Sequence, residues 1–205
     1  MDSLIEGYRH FRETYYREHE GLLKDLFARG QAPKAMLIGC SDSRIDPALT
    51  LGAKPGDMFV VRNVANLVPP YQPNEDFHGT SAALEFAVLV LKVEHIIVLG
   101  HARCGGVATL LQGAVAGKTD FVNAWMRIAE PARKAVEAAN LTDLDERRLL
   151  AELEAVKVSL TNLRTFPWVK AAEDAGRITI HGWYYNIGTG LLWRQGKDGV
   201  FVPVT

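Results

Sequence analysis

VEHIIVLGHARCGG, residues 93–106, sets a short apolar run from Ile96 to Leu99 against a polar segment flanked by glycines. Four apolar residues that stop at a glycine fit a strand buried on both faces. Beyond the glycines, Val107, Leu110, Leu111 and Ala114 keep helical spacing, and Gly117 offers a stop. The stretch therefore reads as strand, tight turn, helix. Upstream, Ala35-Met36-Leu37-Ile38 is another short apolar run and ends at Gly39-Cys40. Met58 to Val61 is a further run, preceded by the turn signal Lys54-Pro55-Gly56-Asp57. Between the runs, Ser81 to Leu91 is apolar almost all round, which predicts a buried helix. Short apolar strands alternating with helices predict an α/β fold with a mostly parallel central sheet flanked by helices.

The rest of the chain follows the same grammar. Leu4, Tyr8, Phe11, Tyr15, Leu22 and Leu26 predict one or two amphipathic N-terminal helices, with Gly30 as the stop. Phe121, Trp125, Ile128, Ala132 and Ala135 predict a helix kinked at Pro131. Thr142 and Asp145 have capping-box spacing before Leu149, Leu153, Val156, Leu160 and Leu163. Residues 177–186 and 191–204 are rich in β-branched and aromatic residues and predict late strands. The chain reads as one domain over 1–205, with 1–30 as a helical arm.

Composition narrows the class. The 205 residues are 48% hydrophobic and 23% charged, with a net charge of −1. Lys and Arg are scattered, so no nucleic-acid or anionic-membrane surface is expected. No apolar run approaches the roughly 20 residues that span a bilayer. The first twenty residues are dense in charge and lack the apolar core of a signal peptide, so a cytoplasmic location is expected. Cys40 and Cys104 are the only cysteines. In a reducing compartment that favours metal binding or catalysis over a disulfide.

Both cysteines fall at strand ends, where parallel sheets bind ligands. Residue by residue, Cys40-Ser41-Asp42-Ser43-Arg44 also has a bland reading, with a small buried thiol, a helix cap and a surface charge. His101 and Cys104 change the weighting, because two thiolates and an imidazole suit zinc. Three protein ligands leave a fourth position free, as in catalytic sites; a closed site needs Asp42 as fourth ligand. The glycines at 105 and 106 let the backbone come close and turn sharply at the helix start, whose positive end favours the Cys104 thiolate. Two rivals stay open at this point. A cysteine nucleophile with a histidine base leaves Cys40 and Asp42 idle. A redox pair of Cys40 with Cys104 leaves His101 idle and lacks C-x-x-C spacing.

CSDSR followed by HARCGG resembles the β-class carbonic anhydrases. The likeness extends through KPGDMFVVRNVANLVPP, GTSAALEFAV, VEHIIVLGH and HGWYYNIGTG, over roughly residues 30–190. It implies Cys40, His101 and Cys104 as ligands of Zn²⁺, and Asp42 with Arg44 as the catalytic pair. In that family the aspartate accepts a hydrogen bond from the metal's water or swings in as fourth ligand, and the arginine holds it away. The resemblance implies reversible hydration of carbon dioxide to bicarbonate and a proton by attack of zinc-bound hydroxide. Carbonyl sulfide or carbon disulfide hydrolysis on the same scaffold, and a non-catalytic zinc protein closed by Asp42, are the alternatives. No proton shuttle stands out; His78, His95 and His181 are the weak candidates.

The family has two site types. The type with an allosteric bicarbonate site places tryptophan three residues before the first zinc cysteine, where this chain has Leu37, although Arg62 and Tyr185 match its other members. The plant-like type places glutamine nine residues before, and Gln31 matches. Phe59 and Phe86 match its aromatic walls, and Gly105 lies beside the substrate. The plant-like type is expected, with Gln31, Phe59 and Phe86 reaching the partner subunit's metal. A homodimer or larger even oligomer follows, with the N-terminal helices packing on the partner.

Overall fold

A computed structural model describes residues 1–113 and 119–205. Ala114 and Gly117, expected to extend and close the helix after Cys104, lie outside the described residues. The strands are β1 (Ala35–Cys40), β2 (Met58–Asn63), β3 (His95–His101), β4 (Thr179–Asn186), β5 (Leu191–Gln195) and β6 (Phe201–Pro203). They form one sheet in the order β2-β1-β3-β4-β5-β6. The first four are parallel, and β5 and β6 add an antiparallel edge. The α/β expectation holds.

Side chains of β1 and β3 alternate between two apolar layers, as strand geometry requires. Met36, Ile38, Ile96 and Val98 face one core, shared with Val156, Leu160 and Leu163 of the long helix α9 (Leu144–Leu163). Leu37, Ile97 and Leu99 face the other side, where Leu51 of the short helix α4 (Pro47–Leu51) and Trp183 meet them. Both faces of the central strands are therefore buried, which explains their unbroken apolar runs.

Two glycines let α9 lie directly on the sheet. A Cβ on Gly100 would stand 2.5 Å from Val156 Cγ2, and one on Gly182 2.8 Å from Leu160 Cδ1. These positions lie on adjacent strands, two residues apart in register, since Val98 pairs with Gly182 and Gly100 with Tyr184. Gly100→Ala is expected to cost about 1–3 kcal/mol through overpacking. At about 2–4 °C per kcal/mol for a chain of this size, the thermal midpoint should fall by several degrees. An unchanged midpoint would mean that α9 is free to shift away.

Several local expectations are corrected. The arm is three helices, α1 (Asp2–Glu13), α2 (Tyr15–Glu18) and α3 (Glu20–Arg29), and Gly30 ends it with φ +79°. Pro131 does not kink a helix. A five-residue helix α7 (Val122–Met126) and a 3₁₀ turn precede it, and Pro131 stands in the first turn of α8 (Glu130–Ala138), where its missing N–H costs nothing. Thr142 does not cap α9; the Asp143 carboxylate accepts the Asp145 and Glu146 N–H groups, both at 2.9 Å. An ionised cap answers the helix dipole better than a hydroxyl does.

Ser81 to Leu91 is not wholly buried. It forms α5 (Gly79–Glu85) and then a π-helical turn over Phe86–Val90, with Leu91 N–H bonded to Phe86 O. Leu84, Ala87 and Val88 enter the core, while Phe86, Leu89 and Val90 are exposed at 42–60%. Helix α1 buries nothing, leaving Leu4, Tyr8 and Phe11 exposed. Two apolar helix faces are thus bare in a single chain.

Candidate active site

Strand geometry brings the three expected ligands together. Cys40 ends β1 and His101 ends β3, two adjacent parallel strands. Cys104 is the N-cap of α6 (Gly105–Leu111). All three are buried, and one ligand atom from each lies within 4.8 Å of the others. The sulfurs are 3.9 Å apart. Tetrahedral zinc with bonds of about 2.3 Å to sulfur places two thiolates about 3.8 Å apart. Nδ1 of His101 stands 2.9 Å from Ala102 O and must donate there. Its Nε2 then carries the free lone pair, and that atom is buried with no partner. An orphaned acceptor facing two sulfurs is what a metal ligand looks like before its metal arrives.

The charges agree. Cys40 is held well below the ordinary thiol range by the Cys104 S–H, by His101, and by the N–H groups of Asp42 and Ala65. The Cys40 thiolate and burial push Cys104 the other way. A thiolate at Cys40 opposes a second one at Cys104, so ionising both calls for a cation between them. Burial works against protonated His101, yet the thiolate and the Asp42 carboxylate carry its pKa above the usual value.

Asp42 sits beside this group, with Oδ2 4.0 Å from His101 Nε2. Arg44 grips it with both ends of its fork, Nε to Oδ1 at 2.9 Å and Nη2 to Oδ2 at 2.6 Å. The Arg44 N–H adds a bond to Oδ1 at 3.0 Å. These contacts hold the carboxyl far below the usual carboxylate range. Arg44 Nη2 also donates to Arg103 O at 2.9 Å, which ties the CSDSR segment to the HARCGG turn.

The sharp turn between His101 and Cys104 is made by Arg103, at φ +57°. The expectation that glycines make it is corrected. Gly106 instead lets the helix start approach Val64 and Ala65, where an added Cβ would meet atoms at 2.9 and 3.0 Å. Among the described residues, no atom outside its chain neighbours and its own helix backbone lies within 4 Å of where a Gly105 Cβ would stand, so the site is open there. Arg62 gives its donors to the carbonyls of Cys40, Asp42 and Ile45 at 2.8, 2.7 and 2.5 Å. It braces the loop that carries Asp42, while its Nη1 faces the Asp46 carboxylate at 4.0 Å. Leu37 is fully buried, and Tyr185 pairs with His101 in the sheet.

Gln31, Phe59 and Phe86 do not join the metal group within one chain. Phe59 pairs with Met36, four residues before Cys40, a rise of about 13 Å along the strand. Exposed Gln31 precedes β1 altogether. The two phenylalanine rings do meet, at 5.9 Å between centroids. His95 and His181 contact each other at 3.3 Å toward the far end of the sheet, and His78 bonds Asn74 at 2.5 Å. None of the three belongs to the Cys-His-Cys group.

A family model described as carbonic anhydrase matches residues 35–192. The chain is 40% identical to a carbonic anhydrase of Pseudomonas aeruginosa, over 94% of this chain and 86% of that one. It is 38% identical to the mitochondrial beta carbonic anhydrase 6 of Arabidopsis thaliana, over 97% and 69%. The solved beta-carbonic anhydrase CcaA superposes with a TM-score of 0.92 at 35% identity, covering 100% of this chain and 92% of that one. A tetrameric beta-carbonic anhydrase of Sordaria macrospora superposes at 0.83 with 30% identity, over 100% and 98%. With sequence, fold and a Cys-His-Cys group in agreement, the chain belongs to the β-class carbonic anhydrases.

Proposed function

We propose that the chain hydrates carbon dioxide reversibly at a zinc ion held by Cys40, His101 and Cys104, with Asp42 and Arg44 as the working pair. The observation that carries this reading is the buried, unpartnered His101 Nε2 facing two sulfurs 3.9 Å apart. When bound, zinc supplies the Lewis acidity that makes water a nucleophile near neutral pH. Three protein donors leave room for that water. Asp42, kept ionised by Arg44, accepts a hydrogen bond from the attacking water and aims it at the carbon. Arg44 keeps the carboxylate from turning onto the metal and closing the site.

The functional unit is a dimer or larger even assembly of the plant-like type. Gln31, Phe59 and Phe86 of one copy line the pocket of the other, with apolar walls for a small apolar substrate and an amide for its oxygen. The bare faces of α1 and of the Phe86–Val90 turn support this pairing.

One preparation tests the reading. Metal content should be near one zinc per chain, the protein should sediment as an even oligomer, and carbon dioxide should turn over faster than carbonyl sulfide. Protein that carries no metal and gains no activity from added zinc would sink the proposal. Faster turnover of carbonyl sulfide would replace the substrate.

A further inference from the structure

Glu152 lies on α9 with only 5% of its surface exposed. A carboxylate buried so deeply needs partners, and it has them. Oε1 accepts the backbone N–H of Cys104 at 3.2 Å. Oε2 accepts the hydroxyl of buried Tyr184, on β4, at 2.8 Å. The Arg103 N–H faces the same carboxylate. The seating of α9 on Gly100 and Gly182 is what lowers Glu152 to this depth. Arg103 holds the left-handed conformation, which a non-glycine residue keeps only when its surroundings impose it. Arg44 ties that turn from the Asp42 side through Arg103 O, and Glu152 ties it from beneath.

We propose that Glu152, itself held by Tyr184, is a positioning residue that fixes the backbone of Cys104 so that its sulfur meets the metal. The inference rests on the metal site proposed above and assigns that site a support from α9. No carboxylate of α9 belongs to the Cys-His-Cys group among the described residues; Glu152 acts only through the Cys104 main chain.

The test follows zinc release to a chelating dye from metal-loaded protein, together with the thiolate-to-cobalt absorption band of the cobalt(II)-substituted form. Glu152→Ala should release zinc about 10–100-fold faster than wild type and shift the band. Glu152→Gln should restore slow release. Its amide oxygen accepts the Cys104 N–H, and its NH₂ donates to a Tyr184 hydroxyl turned to accept. Tyr184→Phe keeps the core shape and should give a smaller acceleration. It stands in for Glu152→Ala if that variant does not fold. Wild-type release rates in Glu152→Ala or its stand-in, or Glu152→Gln as fast as Glu152→Ala, would overturn the inference. Wild-type protein that takes up no zinc would instead overturn the metal site itself.

Discussion

His101→Ala is expected to strip the protein of zinc and to lower carbon dioxide hydration by at least about three orders of magnitude. The size follows from what the metal does, since it brings the pKa of water from about 15.7 to about 7. Without the imidazole, the pocket offers two sulfurs 3.9 Å apart and a carboxylate already committed to Arg44. Cys40→Ser should do the same, because a serine hydroxyl does not ionise to replace the thiolate. Metal measured by mass spectrometry and hydration followed by stopped flow decide the point. Stability gives an independent check. Bound metal stabilises only the folded state, so His101→Ala and chelator-stripped wild type should share a lowered thermal midpoint. A His101→Ala protein that keeps one zinc per chain would remove His101 from the ligand set.

The central sheet and the Cys-His-Cys group were legible because each depends on local sequence. Ile96 to Leu99 and Ala35 to Ile38 are apolar on both faces because both faces are buried, so their strands announce themselves. Cys40 and His101 lie at the ends of those strands, which parallel pairing brings together, and Cys104 follows His101 by one tight turn. Features that depend on tertiary contact were not legible. The apolar surface of residues 81–91 says that it will be covered, but not that Phe86, Leu89 and Val90 stay bare within one chain. Arg103 in the left-handed region has no sequence signal, since its conformation is imposed by Arg44 and Glu152 from distant elements. Arg62 matched one member of an allosteric anion site, but nothing in the sequence says that its Nε and Nη2 are taken by the carbonyls of Cys40, Asp42 and Ile45. Glu152 did carry a signal that was passed over. It falls three residues after Leu149 and four before Val156, a charge inside the apolar stripe of α9, and such a charge needs a buried partner.

Asp42→Asn separates the work of the carboxylate from that of the metal. The substitution keeps the shape of the side chain and leaves all three ligands in place, so zinc should stay near one per chain. What it removes is the charge that Arg44 holds ionised and a fully committed acceptor for the attacking water. Losing one preorganised polar group of this kind costs about 10²–10³ in turnover, and the loss should appear in kcat rather than in KM. Arg44→Lys probes the other half of the pair. Arg44 spans both carboxylate oxygens and also reaches Arg103 O. A single ammonium lacks that fork, so lysine keeps the charge without restoring the geometry. Asp42 then loses its tether while standing 4.0 Å from His101 Nε2, within a side-chain rotation of the metal group. Hydration should fall about 10–100-fold, the scale of lost outer-shell contacts, again with full metal content. An Asp42→Asn enzyme retaining more than half of the wild-type kcat would show that the metal works without its neighbour. An Arg44→Lys enzyme at the wild-type rate would show that charge alone, not the fork, keeps the site open.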